Sequence, residues 1–229
     1  FIALRDLTFA KGRFLLMATV VALIAFLLTI LSGLSTGLIR NNISALMALD
    51  ISHIAFEYND KPSYRNSMVD REMWEGWREH PSVIDTQPLG HTMFNARTKD
   101  DLPLNEVVLW GIEPGSFLEP AVNRGEQLGR LENGVVIASK LVEKGIDIGD
   151  VLILDRVLTE LEVIGVTDEH YIGHVPVIYT LLPKWQEATY GPPGGPPPGE
   201  KLPSILFDYA SVIALQIKPD TLPGELQTT

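Results

Sequence analysis

Residues 14–39 read FLLMATVVALIAFLLTILSGLSTGLI, a run without one charged side chain. At about 1.5 Å of rise per residue, such a helix outspans the roughly 30 Å hydrocarbon core of a bilayer, with length left for tilt. The run therefore reads as a transmembrane helix. A cleaved signal peptide is the competing reading, but its apolar region is usually only about 7–15 residues and ends at a small-residue cleavage site. Arg5, Lys11 and Arg13 crowd the N-terminal flank, whereas Arg40 alone closes the other. The positive-inside rule then predicts a cytoplasmic N-terminus and puts everything after Arg40 outside. Residues 1–13 mix Phe1, Ile2, Leu4, Leu7 and Phe9 with Arg5, Asp6 and Lys11, as an interfacial amphipathic helix on the inner leaflet would. Within the span, Gly33 and Gly37 form a G-x-x-x-G flanked by Ser32, Ser35 and Thr36, a predicted helix-packing face. Small residues are also common in membrane helices generally, and the spacing alone does not separate the two readings.

The 229 residues carry a formal net charge of −11 and no cysteine. Through Arg40 there are four positive charges and one negative, so the remainder carries −14. An acidic outer part excludes nucleic acid as a partner, because neutralising phosphates takes clustered Lys and Arg. Without cysteine there is no disulfide framework and no thiolate metal site.

Beyond the span, residues 40–50 keep helical character and are expected to form a helix extension or stalk. Residues 51–218 then alternate short strands with few helices, which predicts a mixed α+β extracellular domain. Ile54, Phe56 and Tyr58 have the period of a half-buried strand. Ser67 with Asp70 resembles a capping box, and Val69, Met73 and Trp77 recur every four residues as the core stripe of a helix. Strands are predicted over residues 83–89, 92–98, 106–112, 151–154, 160–166, 175–181 and 210–217. Gly134 to Gly145 reads as a strand running into a short helix that ends at glycine, and Pro183 opens another short helix. Residues 191–199, GPPGGPPPG, can form neither helix nor ladder and are expected to be a loop. Residues 219–229 are expected to lead into a following membrane helix.

Taken together, Ala3-Leu4-Arg5-Asp6-Leu7 with Lys11-Gly12-Arg13, then VVIASKLVEKGIDIGDVLILD at residues 135–155 and Leu161-Glu-Val-Ile-Gly-Val166, resemble the permease subunits of MacB and FtsX type ABC transporters. The run from Phe26 to Leu34, then Gly37-Leu38 and Asn41-Asn42, together with Tyr171 to Thr180 leading to Trp185, is most similar to the branch of HrtB-type haem exporters and DevC-type glycolipid exporters. The resemblance implies a membrane protein with one N-terminal transmembrane helix followed by a mixed α+β extracellular domain, with three further membrane helices in the full permease. It also implies a plasma-membrane location, a separate ABC ATPase subunit, a second copy of the permease, contact with membrane lipid, and a hydrophobic small-molecule substrate.

No G-x-x-x-x-G-K-[ST] phosphate loop, no His-Glu-x-x-His and no arguable Ser–His–Asp set occurs, so the chain reads as a transport subunit and not an enzyme. No intrinsic cofactor is expected; haem is the expected transported ligand. Haem iron takes His, Met or Tyr, and its propionates take Arg or amide donors. Arg40 and Asn41 at the membrane exit, with Met47 and His53 beyond, supply such groups, although Arg40 can equally be a snorkelling anchor and Met47 and His53 packing or surface residues. His170, Tyr171 and His174 form a second cluster, H-Y-x-x-H, whose spacing suits a metal on a helix, but which precedes a strand and so fits a solvated turn. His80 and His91, beside Pro81 and Gly90, read as turn residues. The rival functions are export of a lipid, glycolipid or drug, an FtsX-like regulator of a cell-wall hydrolase that carries no cargo, and a plain single-pass receptor or adhesion domain.

Overall fold

The computed structural model describes residues 11–197, 200–221 and 226. The segment before Lys11, and most of that after residue 221, lie outside the described residues, as do the interfacial helix and the lead into a further membrane helix expected there. The chain divides into two compact units, Phe1–Asn42 and Ile43–Thr229.

Among the described residues the first unit is one helix, α1 (Lys11–Asn42). Its stretch Lys11–Leu38 is long and apolar enough to cross a membrane, and none of its side chains is buried. Two hydroxyls that lipid would leave unsatisfied bond back into the helix, Thr29 Oγ1 to the Ala25 carbonyl at 2.8 Å and Thr36 Oγ1 to the Ser32 carbonyl at 2.9 Å. A Cβ at Gly33 or Gly37 would meet nothing within 4 Å, so the small-residue face is open.

In the second unit, α2 (Ser44–Ala48) folds onto the domain, and Ala45 is fully buried in its core. Of the segment expected as a helix extension or stalk, residues 40–42 continue α1 and residues 43–50 belong to the outer unit. The elements that follow are β1 (His53–Ala55), β2 (Val69–Asp70), α3 (Arg71–Arg78), β3 (Val83–Thr98), β4 (Pro103–Ile112), β5 (Arg124–Gly125), β6 (Gly134–Ala138) and α4 (Ser139–Glu143). After these come β7 (Val151–Leu154), β8 (Glu160–Thr167), β9 (Tyr171–Ile172), β10 (Val175–Leu181), α5 (Leu182–Tyr190), a 3₁₀ turn (Ser204–Asp208), β11 (Tyr209–Ala210) and β12 (Val212–Ile217).

The main sheet runs β1-β12-β3-β4-β10-β6-β8-β5. Because β7 pairs with both β3 and β8, the path β3-β4-β10-β6-β8-β7 returns to its start and closes six strands into a barrel. Closure removes the edges that these six strands would leave as an open sheet, and the short β1 and β5 remain as the ends of the branches outside the barrel. The two faces bury different cores. Val107, Leu109, Val135, Ile137 and Ile178 belong to one cluster, while Val108, Trp110, Val136, Val177 and Tyr179 belong to another. Strands buried on both faces read as continuous apolar runs, which is why VVLWGI and VVIA show no alternation.

Several expectations change, among them the strand read from Ile54, Phe56 and Tyr58, which ends at Ala55 and leaves Tyr58 exposed. The strands expected at 83–89 and 92–98 are one sixteen-residue strand that passes straight through Gly90 and His91. The glycine there serves packing and not a turn: a Cβ on Gly90 would fall 2.2 Å from the Trp185 indole, and one on its cross-strand partner Gly111 would fall 2.3 Å from Trp185 Cβ. Ser67 is no helix cap; its Oγ accepts from the Glu57 N–H, while Asp70 caps α3 by accepting from the Met73 N–H at 2.9 Å. That register makes Trp74 the buried residue of α3 and leaves Met73 exposed. The positive-φ glycine after α4, Gly145, sits where a helix stop was expected.

Candidate functional site

Two regions concentrate the chemistry. The first lies where the chain enters and leaves the outer unit. β1 pairs antiparallel with β12, His53 opposite Leu215. Ser52 Oγ donates to the Leu215 carbonyl and accepts from the Ile217 N–H, both at 2.8 Å. Gln216 Nε2 donates to the Asp50 carbonyl at 3.1 Å and to its carboxylate at 2.8 Å. The incoming and outgoing strands are therefore clamped side by side. Nearby in sequence, the Tyr171 N–H donates to Ser44 Oγ at 2.8 Å, and Ile172 packs into the same core cluster as Ala45 and Leu49. The structure thus joins α2, which bears Met47, to the hairpin that bears Tyr171.

Within this region the expected ligands are dispersed. Met47, His53 and His174 are exposed and Tyr171 is half-buried. The side chains of Arg40 and Asn41 lie outside the described residues. The H-Y-x-x-H spacing is not helical: β9 and β10 form a hairpin, Val175 opposite Ile172, around a two-residue turn with Gly173 at φ +66°. His170 turns inward, its Nδ1 2.7 Å from Tyr179 Oη, and burial lowers its pKa despite the nearby Asp168 carboxylate. It cannot join His174 on a metal, and among the described residues no group of three His, Cys, Asp or Glu could hold one.

The second region was not anticipated. His91 lies in mid-strand, where its Nδ1 accepts from Trp110 Nε1 at 2.9 Å and its ring stacks on Tyr64 at 4.3 Å between centroids. This corrects its reading as a turn residue. Desolvation lowers its pKa to about 4, so the ring is neutral near pH 7. The indole N–H can only donate, which leaves the imidazole proton on Nε2. Burial likewise raises Tyr64 to about 12 and Tyr190 to about 12. Trp185, seated on Gly90 and Gly111, donates from Nε1 to Thr92 Oγ1 at 3.1 Å and meets Tyr190 edge to face at 5.5 Å. These groups line a cavity of about 380 Å³. Nothing in the local sequence announced it, because Tyr64, His91 and Trp185 come from three separate segments; the one available signal was the glycine inside an apolar strand pattern.

With its apolar N-terminal helix and closed, mixed α/β outer domain, the chain is similar in sequence to a permease protein and in fold to the periplasmic region of MacB. In sequence it is similar to the hemin transport system permease protein HrtB of Staphylococcus haemolyticus, 23% identical over 181 residues, which is 77% of this chain. The chain spans 48% of that relative's length. Its fold is similar to the periplasmic region of MacB from Actinobacillus actinomycetemcomitans, with a TM-score of 0.51 at 13% identity over 76% of this chain and 79% of that one. The extracellular domain of the noncanonic ABC-type transporter YknZ from Gram-positive bacteria aligns at a TM-score of 0.48 and 16% identity, over 73% of this chain and 83% of that one. No protein-family profile matches the chain.

Proposed function

We propose that the chain is the membrane-anchored outer part of an ABC exporter permease that expels a hydrophobic or amphipathic compound, with haem the leading candidate, while a separate subunit hydrolyses ATP. One observation carries this reading. The Asp50–Gln216 and Ser52–Ile217 bonds hold the arriving and departing strands together, so a displacement of either flank enters the sheet at one point. A domain driven by membrane helices needs such a coupling; a receptor domain on a single tether does not. The likeness to HrtB supports haem as cargo, and Met47 on α2 beside the Tyr171 hairpin offers candidate ligands for its iron. In this reading Arg40 and Asn41 receive the propionates, Gly33 and Gly37 pack against a second copy, and the N-terminus is cytoplasmic.

The test uses the full permease with its ATPase subunit. In proteoliposomes, ATP should drive haem out of the bilayer, and Met47→Ala should alter the Soret band and slow export. Cysteines at Glu126 and Lys11 should react with an impermeant reagent from outside and inside respectively. ATP turnover that moves no haem and no other amphipath would favour the cargo-free regulator instead.

A further inference from the structure

The Tyr64–His91–Trp185 cavity lies within the outer unit, and the permease reading neither uses nor requires it. Its volume of about 380 Å³ falls within the roughly 300–1,000 Å³ typical of small-molecule pockets. Its walls are aromatic: Tyr64 is stacked on His91 with their planes 23° apart and Tyr190 is half-buried in the lining, while the fully buried Trp185 backs them on its two-glycine seat and its bond to Thr92. Met68 and Met93 are exposed in its lining and supply polarizable, adaptable contacts.

The charge is the decisive feature. In a chain of net charge −11, this lining contains Arg65 and Arg156 and no carboxylate. Both arginines are exposed, and among the described residues neither has a carboxylate within 4.0 Å. A neighbouring hollow shares both arginines and adds Glu106 and Asp155, the latter 3.6 Å from Arg97, which Asp101 also approaches at 3.7 Å; the excess of positive charge is confined to the aromatic cavity. Two guanidiniums without a carboxylate partner among the described residues, beside stacked rings, offer bidentate bonds to an anion and a face for a planar ring. Metal is disfavoured, because His91 holds its proton on Nε2 and its other nitrogen is occupied by Trp110.

We propose that this cavity is a binding site for a small planar aromatic anion, its ring against Tyr64 and its sulfonate or carboxylate on Arg65 and Arg156.

The probe is 2-naphthalenesulfonate, titrated calorimetrically into the full chain in lipid nanodiscs, with empty nanodiscs as the blank. One site per chain is expected, with affinity at least about tenfold above that of neutral 2-naphthol, and a loss of at least about tenfold in Arg65→Gln/Arg156→Gln. Arg130→Gln, an exposed arginine outside the cavity, should bind as wild type. Tyr64→Ala, which removes one wall, should weaken 2-naphthalenesulfonate and 2-naphthol alike. Equal affinity for the two probes, binding unchanged in the double arginine variant, or no binding at all would each overturn the proposal. None of these outcomes touches the haem-export assay, so the two readings fail separately.

Discussion

Histidine meets aromatic groups at both candidate regions, and the two are held in opposite ways. At the hairpin, His174 stands in solvent on a glycine turn, and its neighbour in sequence space, His170, has been drawn into the core to bond Tyr179. At the cavity, His91 is fixed on both sides of its ring, by Trp110 through Nδ1 and by Tyr64 through stacking. A side chain that must respond to a mobile ligand gains from the first arrangement. A preformed surface that must keep its shape gains from the second, because rigid walls leave less entropy to lose on binding.

The comparison breaks most readily at Trp185. It is fully buried, so Trp185→Ala should cost about 3–5 kcal/mol of outer-unit stability, read as a lower urea midpoint. Gly90→Ala should destabilise by about 1–3 kcal/mol or more, because backbone and indole would have to separate. If either variant unfolds like wild type, the rigid wall does not exist.

Acid sharpens the contrast. The folded-state pKa of His91 is lowered to about 4 and that of His170 is also lowered, so below about pH 6.5 the unfolded chain binds protons that the folded chain refuses. Stability is therefore fully present above that pH and is lost as pH falls toward 4, His91 alone contributing on the order of 2 kcal/mol of loss by pH 5. His91→Gln should flatten the urea-midpoint profile between pH 7 and 5.

Smaller effects belong to the chain crossing. Ser52→Ala removes the acceptor of the Ile217 N–H and should cost about 1 kcal/mol, visible as faster amide exchange at Ile217. His53→Ala and His174→Ala, both at exposed positions, should stay within about 0.5 kcal/mol of wild type. A larger loss at either would mean that the exposed rim is structural.

What could be read ahead of the structure follows from how local each cause is. The membrane helix is legible because lipid demands one contiguous apolar run, and the α4 stop because Gly145 acts on its own turn. Barrel closure is not, since β7 meets β3 across more than fifty residues of chain and no local pattern marks that pairing. The same distance hid the cavity. Gly90 was read through its neighbours in sequence, as a turn, when its cause was Trp185, a residue far along the chain. His170 was expected in a solvated turn; the turn does follow it, but its own ring is buried against Tyr179, which only the strand pairing brings near.

The clamp between β1 and β12 also has a mechanical meaning. Both chains leave the pair from the same end, at Asp50 and at Ile217, so tension on them does not shear the ladder. It opens the pair as a zip is opened, loading Gln216–Asp50 first, then Ser52–Ile217, then the ladder bonds one after another. Each bond in that row must give before the next is loaded, so the flanks act on the sheet through Gln216–Asp50 and Ser52–Ile217 before any force reaches the ladder.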